Sequence, residues 1–178
     1  MRRFGAVLLA SAGLLAAGCS AAGSPASAPA TTPAPPAVAD ASQVNMCIIL
    51  TSAELTGLGV RPNTRQQVNR SGVVGCRWLT KSYTLSLTRD DDTLAGYQAH
   101  RQDPKFFNFG NNTVNNRAGA HFGVNPDGSH CAQLMAGGPV SLSVSVAVPP
   151  EVNPRPVDPC AEALRIARMI EPRLPKPA

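Results

Sequence analysis

Five cysteines occur in this 178-residue chain, and four of them, Cys47, Cys76, Cys131 and Cys160, fall into two couples of equal spacing. A covalent tie between segments that far apart restricts the fold more than local propensity does. Four cysteines allow three connectivities, and residue order alone does not choose among them. The pairing Cys47–Cys76 with Cys131–Cys160 is favoured here. Each couple has the same interval, and each joins a strand-like segment to a helix-like one. The rival is a zinc site. No CxxC occurs, and His100, His121 and His130 show no ligand spacing with the cysteines, so no metal is expected.

Whether the thiols oxidise depends on the compartment, and the N-terminus speaks to that. Arg2 and Arg3 precede an apolar run over residues 4–17, the layout of a secretory signal peptide. The run is shorter than the roughly 20 residues a spanning helix needs, and no later stretch is long enough. Ala17-Gly18-Cys19-Ser20 resembles the lipobox of bacterial lipoproteins. In that group a diacylglycerol is attached to the cysteine, and cleavage leaves the acylated cysteine as the first residue. The resemblance implies a signal peptide over 1–18, acyl chains such as palmitate on Cys19, and anchoring at the outer face of the cell membrane. Export places the four remaining cysteines in an oxidising space, where disulfides persist.

Residues 19–44 are rich in Ala, Pro, Ser and Thr and nearly uncharged. Such a segment cannot bury a core, so a disordered tether is expected. Its prolines stiffen it toward polyproline II, enough to hold a domain on the order of several tens of Å from the membrane. One globular domain is expected over residues 45–174, with a short tail over 175–178. The whole chain carries 16 Lys and Arg against 11 Asp and Glu, a net charge of +5. Loss of Arg2 and Arg3 with the leader lowers this by two. The basic residues are scattered and not interleaved with aromatics, which argues against nucleic-acid binding.

Local signals predict an α+β domain. Thr51-Ser52-Ala53-Glu54 reads as a capping box opening a short helix to Leu58, closed by Gly57 and Gly59. Residues 75–80 and 83–88 read as a hairpin turning at Lys81-Ser82, with Cys76 and Trp78 on one face. Asp90, Asp91 and Asp92 suit the N-terminus of a helix over Leu94–Arg101, and they lack the alternating oxygens and trailing Glu of a calcium loop. Residues 118–124 and 129–135 flank Asn125-Pro126-Asp127-Gly128, a turn signal. Val140, Leu142, Val144, Val146 and Val148 alternate with serines and alanine, the pattern of a strand with one buried face. Asp158 and Pro159 open a closing helix whose inward stripe is expected to be Ala163, Leu164, Ala167, Ile170 and Leu174. The expected fold is a twisted antiparallel sheet of about five to six strands, packed against two or three helices and held by two disulfides.

Candidate functional residues are few. Phe106, Phe107 and Phe109 form the densest aromatic cluster, in an Asn- and Gly-rich stretch expected to be loop. They either pin that loop to the core or form an apolar patch for a ligand or partner. No GxSxG, HExxH or phosphate-cradling glycine loop occurs. His130 lies beside Cys131, but a cysteine held in a disulfide is no nucleophile. No catalytic residue and no cofactor is assigned.

The chain resembles a family of actinobacterial lipoproteins known as domain of unknown function 3558. The resemblance is carried by the Cys19 lipobox and its Ala/Pro linker, Cys47-Ile48-Ile49-Leu50-Thr51, Gly75-Cys76-Arg77-Trp78, and the closing Asp158-Pro159-Cys160-Ala161-Glu162-Ala163-Leu164 helix with Leu174-Pro175. It implies an exported envelope lipoprotein with no assigned activity. The two-disulfide α+β plan also looks like the external sensor domain of a mycobacterial receptor kinase, which would imply a ligand-binding cleft. The expected function is therefore a lipid-anchored, non-enzymatic binding or protein-interaction module. Its partners would be the membrane through Cys19 and an envelope protein or small apolar ligand. The alternatives are a carrier or sensor of a lipid or other small apolar ligand and, less favoured, an envelope hydrolase.

Overall fold

Seven strands pair into one wholly antiparallel sheet in the computed structural model, which describes residues 40–152 and 154–176. The signal peptide, Cys19 and all but the end of the tether lie outside the described residues. The strands are β1 (Gln66–Arg70), β2 (Val73–Leu79), β3 (Thr84–Asp90), β4 (Phe107–Val114), β5 (Arg117–Gly123), β6 (His130–Ala136) and β7 (Ser141–Ala147). Their order across the sheet is β1-β2-β3-β7-β6-β5-β4, so β7 enters between β3 and β6. Three helices accompany them: α1 (Ser52–Gly57), α2 (Leu94–Ala99) and α3 (Pro159–Ile170). Among the described residues, no helix is long and apolar enough to cross a membrane.

The expected five to six strands become seven because two polar segments also pair. β1 is exposed at four of its five positions, so it carries little hydrophobic signal. It is held by a tight turn in which Ser71 and Gly72 both take positive φ, as a two-residue hairpin requires. β4 is the Asn-rich stretch expected to be loop. It pairs with β5 through a two-residue turn at Asn115-Asn116, with Asn115 in the left-handed region. Asparagine tolerates that conformation because its short polar side chain bonds locally.

Alternation decides which side chains meet the helices. Cys76 and Trp78 on β2, Leu85 and Leu87 on β3, and Leu142, Val144 and Val146 on β7 share one face and are essentially inaccessible. Met46, Leu50, Leu55 and Leu58 from the N-terminal segment and α1 cover it, together with Ala163, Ile166, Ala167 and Ile170 of α3. Ala41 already belongs to this core and is tied by its amide to the Gly137 carbonyl at 2.9 Å. On α3 the buried stripe is Ala163, Ile166, Ala167 and Ile170; Leu164, expected inside, is only half-buried. Asp158 caps the helix by accepting from the Ala161 amide at 2.8 Å, and Cys160, within the first turn, is fixed to the sheet. Together these set the rotation of the helix, which buries the spacing i, i+3, i+4, i+7.

Both disulfides form as favoured. Cys47 joins Cys76 on β2, and Cys131 on β6 joins Cys160 on α3, each with a sequence separation of 29 and Cα atoms 5.0 Å apart. The capping box is complete: the Glu54 amide donates to Thr51 Oγ1, and the Thr51 amide donates to Glu54 Oε2 at 2.8 Å. Arg173 bonds the same carboxylate and the Ile49 carbonyl, which locks α1 to the end of the chain.

Candidate functional site on the open face of the sheet

The face of the sheet opposite α3 is covered at one end only. Register places its residues in rows that run across the strands. One row is Gln66, Arg77, Ser86, Ser145, Ala132 and Phe122, each directly opposite the next. The next is Val68, Gly75, Thr88, Ser143, Leu134 and Ala120. The first row grades from polar at β2 and β3 to apolar at β6 and β5, and the second turns from Thr88 and Ser143 to the apolar Leu134 and Ala120. Above them lies a trough of about 400 Å³.

The apolar end has a small core of its own. Leu94 of α2 packs with Ala120, Phe122, Ala132 and Leu134, and Tyr97, Phe106 and Phe109 close around them. The Phe106 ring lies 4.5 Å from that of Phe122, and Tyr97 and Phe109 stack on Phe122 at 5.8 and 6.1 Å. Tyr97 donates its hydroxyl to Asp90 Oδ2 at 2.5 Å. Burial, followed by that carboxylate, pushes the phenol well above its ordinary pKa, so it stays a donor. Asp90 Oδ1 accepts from the Asp92 amide at 2.9 Å, so both carboxylate oxygens are engaged. Thr93, not an aspartate, caps α2 by accepting from the Gly96 amide.

The structure separates the three phenylalanines singled out from sequence. Phe106 and Phe109 join the aromatic wall. Phe107 pairs with Gly123 and Gly110 with His121, so three positions on β4 span two on β5. That bulge, with Asn108 at φ 53°, turns Phe107 and Phe109 to opposite faces. The segment is thus a bulged edge strand.

The polar end presents unspent groups. Ser86, Thr88 and Ser143 make no side-chain hydrogen bond among the described residues, although their hydroxyls reach the trough. Arg77 donates its Nε–H to Gln66 Oε1 at 2.7 Å, which orients the guanidinium and leaves its Nη donors free. His130 Nε2 lies 2.6 Å from Ser145 Oγ. Burial holds this imidazole below its ordinary value, which keeps it neutral near pH 7.

A serine–histidine contact invites comparison with acyl transfer, which needs a group orienting the imidazole and N–H donors for an oxyanion. No carboxylate bonds His130 among the described residues. Ser145 sits mid-strand on β7, whose backbone pairs on both sides, so neighbouring amides are committed to the ladder. The contact orients a hydroxyl. No three His, Cys, Asp or Glu side chains converge as metal ligands among the described residues.

Sequence reasoning missed Arg77, Ser86, Thr88, Ser143, Ser145, Tyr97 and Phe122 as a group. The serine alternation of β7 marked a wetter face, but only the register across five strands brings these residues together.

Fold and site together define a disulfide-stapled α+β domain with α1 and α3 packed on one face of its sheet and, on the other, a graded trough beside α2. The chain belongs to the family described as protein of unknown function (DUF3558), whose profile matches residues 14–173. No curated protein and no solved structure gives a significant match.

Proposed function

We propose that this is an exported, lipid-anchored envelope protein whose folded domain binds a small ligand in the trough, without chemistry of its own. One observation carries the reading. The sheet turns a face to solvent whose hydroxyls, guanidinium and aromatic wall converge on one concavity of about 400 Å³. Its lining is mainly polar, with Val68, Val73, Tyr97, Phe122 and Leu134 as the apolar part, so it offers both the apolar surface and the placed polar groups that a ligand site combines. The lipobox-like Ala17-Gly18-Cys19 supports the anchor, and two disulfides agree with export to an oxidising space. An acyl chain on Cys19 would hold the domain at the outer face of the membrane, which suits a carrier or a sensor.

Native mass spectrometry of protein purified from its host is the direct test. A bound small molecule should appear, and it should be missing from Ser143→Trp, which fills the trough. Protein purified empty in both forms, but crosslinked in the envelope through its α3 side, would replace this reading with a scaffold role. Cys19→Ser should release the protein from membranes; full retention would refute the anchor.

A further inference from the structure

We propose that the trough takes a single-chain amphiphile with an anionic head, either carboxylate or phosphate, its head at Arg77 and its chain toward Phe122. The inference deepens the binding reading above and rests on it.

Charge points to the head. The formally charged residues lining the trough are Arg70, Arg77 and Asp90. Asp90 is spent on Tyr97 and on the Asp92 amide, as described above, and lies at the β3 end beside Val73 rather than in the row of Arg77. Arg77 has no carboxylate partner among the described residues; its one side-chain bond goes to the neutral Gln66. A guanidinium held in plane by such a bond is a preorganised fork for a planar or tetrahedral oxyanion. Ser86 sits directly opposite Arg77, and Ser145 directly opposite Ser86, so two hydroxyls continue the fork. In the tautomer that carries its proton on Nε2, His130 donates to Ser145 Oγ and the Ser145 proton is free for the same oxyanion.

Apolarity points to the chain. Beyond Ser145 the row continues through Ala132 to Phe122, flanked by Leu134 and Tyr97. From β2 to β5 is four strand spacings, about 19 Å at roughly 4.8 Å each. A free oxyanion would use only the first half of that track, and a neutral lipid only the second. An amphiphile uses both.

The test uses the chain bearing Cys19→Ser, so that no detergent competes, titrated calorimetrically with four probes below their micelle concentrations. The probes are laurate, dodecyl phosphate, monolaurin as the neutral analogue, and inorganic phosphate. Laurate and dodecyl phosphate should bind one per chain, and the tighter of the two identifies the head. Monolaurin should bind at least about 10-fold more weakly, and inorganic phosphate should give no heat. Arg77→Met, on an exposed side chain, should weaken the two anions by about 10–100-fold and leave monolaurin unchanged, since hydrogen bonds to charged groups are worth that much. Arg77→Lys should recover part of the loss. Monolaurin binding as tightly as laurate, or anions indifferent to Arg77→Met, overturns the anionic head while leaving the trough as a site. Binding by phosphate alone overturns the chain. Binding that survives Ser143→Trp overturns the site itself, and failure of all four probes to bind overturns the amphiphile.

Discussion

Cleaving one disulfide at a time gives a sharp measure of what holds this fold. Each bridge closes a loop of the same sequence separation, 29. In the chain-entropy treatment, a loop that size removes about 12 cal/mol/K from the unfolded ensemble, or about 3.6 kcal/mol at room temperature. The two loops do not overlap in sequence, so their terms should add to about 7 kcal/mol. That is a large share of the roughly 5–15 kcal/mol by which domains are stable. The double variants Cys47→Ala/Cys76→Ala and Cys131→Ala/Cys160→Ala should therefore each lose about 3–4 kcal/mol in denaturant titrations. Their Tm should fall by roughly 10–18 °C for a domain of this size. With both bridges absent, the domain should be marginal at 37 °C. The equality of the loops sharpens the test. Local packing is matched as well, since each bridge joins a buried cysteine, Cys76 or Cys131, to a half-buried one, Cys47 or Cys160, so the two losses should be close. A loss under about 1 kcal/mol for either pair, with free thiols excluded by alkylation, would refute the reasoning. So would two values differing by more than about 2 kcal/mol.

Three further outcomes follow from the packing. Arg117 is buried and bonds Glu171 at 3.3 Å, the Ala136 carbonyl at 2.9 Å and the Pro175 carbonyl at 2.6 Å; Arg117→Met should cost about 3–5 kcal/mol in urea unfolding, because partners are left buried and unpaired. A Cβ on Gly75 would sit 2.1 Å from the Leu87 carbonyl oxygen, whereas Gly57 has open space. Gly75→Ala should thus lose about 2–3 kcal/mol and Gly57→Ala gain a few tenths or more, opposite signs in one assay. Burial holds the His130 imidazole below 6.5, so on acidification the unfolded chain protonates first and stability falls as pH drops below about 6.5. His130→Gln should flatten that part of the stability–pH curve. The carboxylates held low act at lower pH: Glu54, brought to about 2 chiefly by Arg173, loses its contribution between about 4.5 and 2.

Much of this fold was legible because the signals were local. Thr51 and Glu54, Asp158 and Pro159, and the alternation from Val140 to Val148 each act within a few residues, and all three elements stand where expected. The equal intervals between cysteines carried the disulfide pairing, which is a long-range fact. What escaped was polar structure at the edges. β1 and β4 bury little of themselves, so neither period two nor hydropathy marks them, and pairing partners decide their conformation. The site escaped for a related reason. Arg77 and Phe122 are read as a hairpin residue and a strand residue, and nothing local says that β7 inserts between β3 and β6 and sets one row from the first to the second.

The residue choices on that face of the sheet are hard to explain by stability. β7 is flanked on both sides, and such a strand favours β-branched residues. Yet Ser141, Ser143 and Ser145 occupy one side of it, with Ser86 beside them on β3. Ser141 Oγ is even buried without a partner, a cost of about 1–3 kcal/mol. On a scale spanning about 1 kcal/mol per position, four serines forgo roughly 2 kcal/mol against valine or threonine. Stability given up in a cluster is characteristic of a functional surface rather than of a scaffold. Ser143→Val should accordingly raise the unfolding midpoint while weakening whatever the trough binds. A variant that gained stability and kept full binding would mean that the serines are there for some other reason.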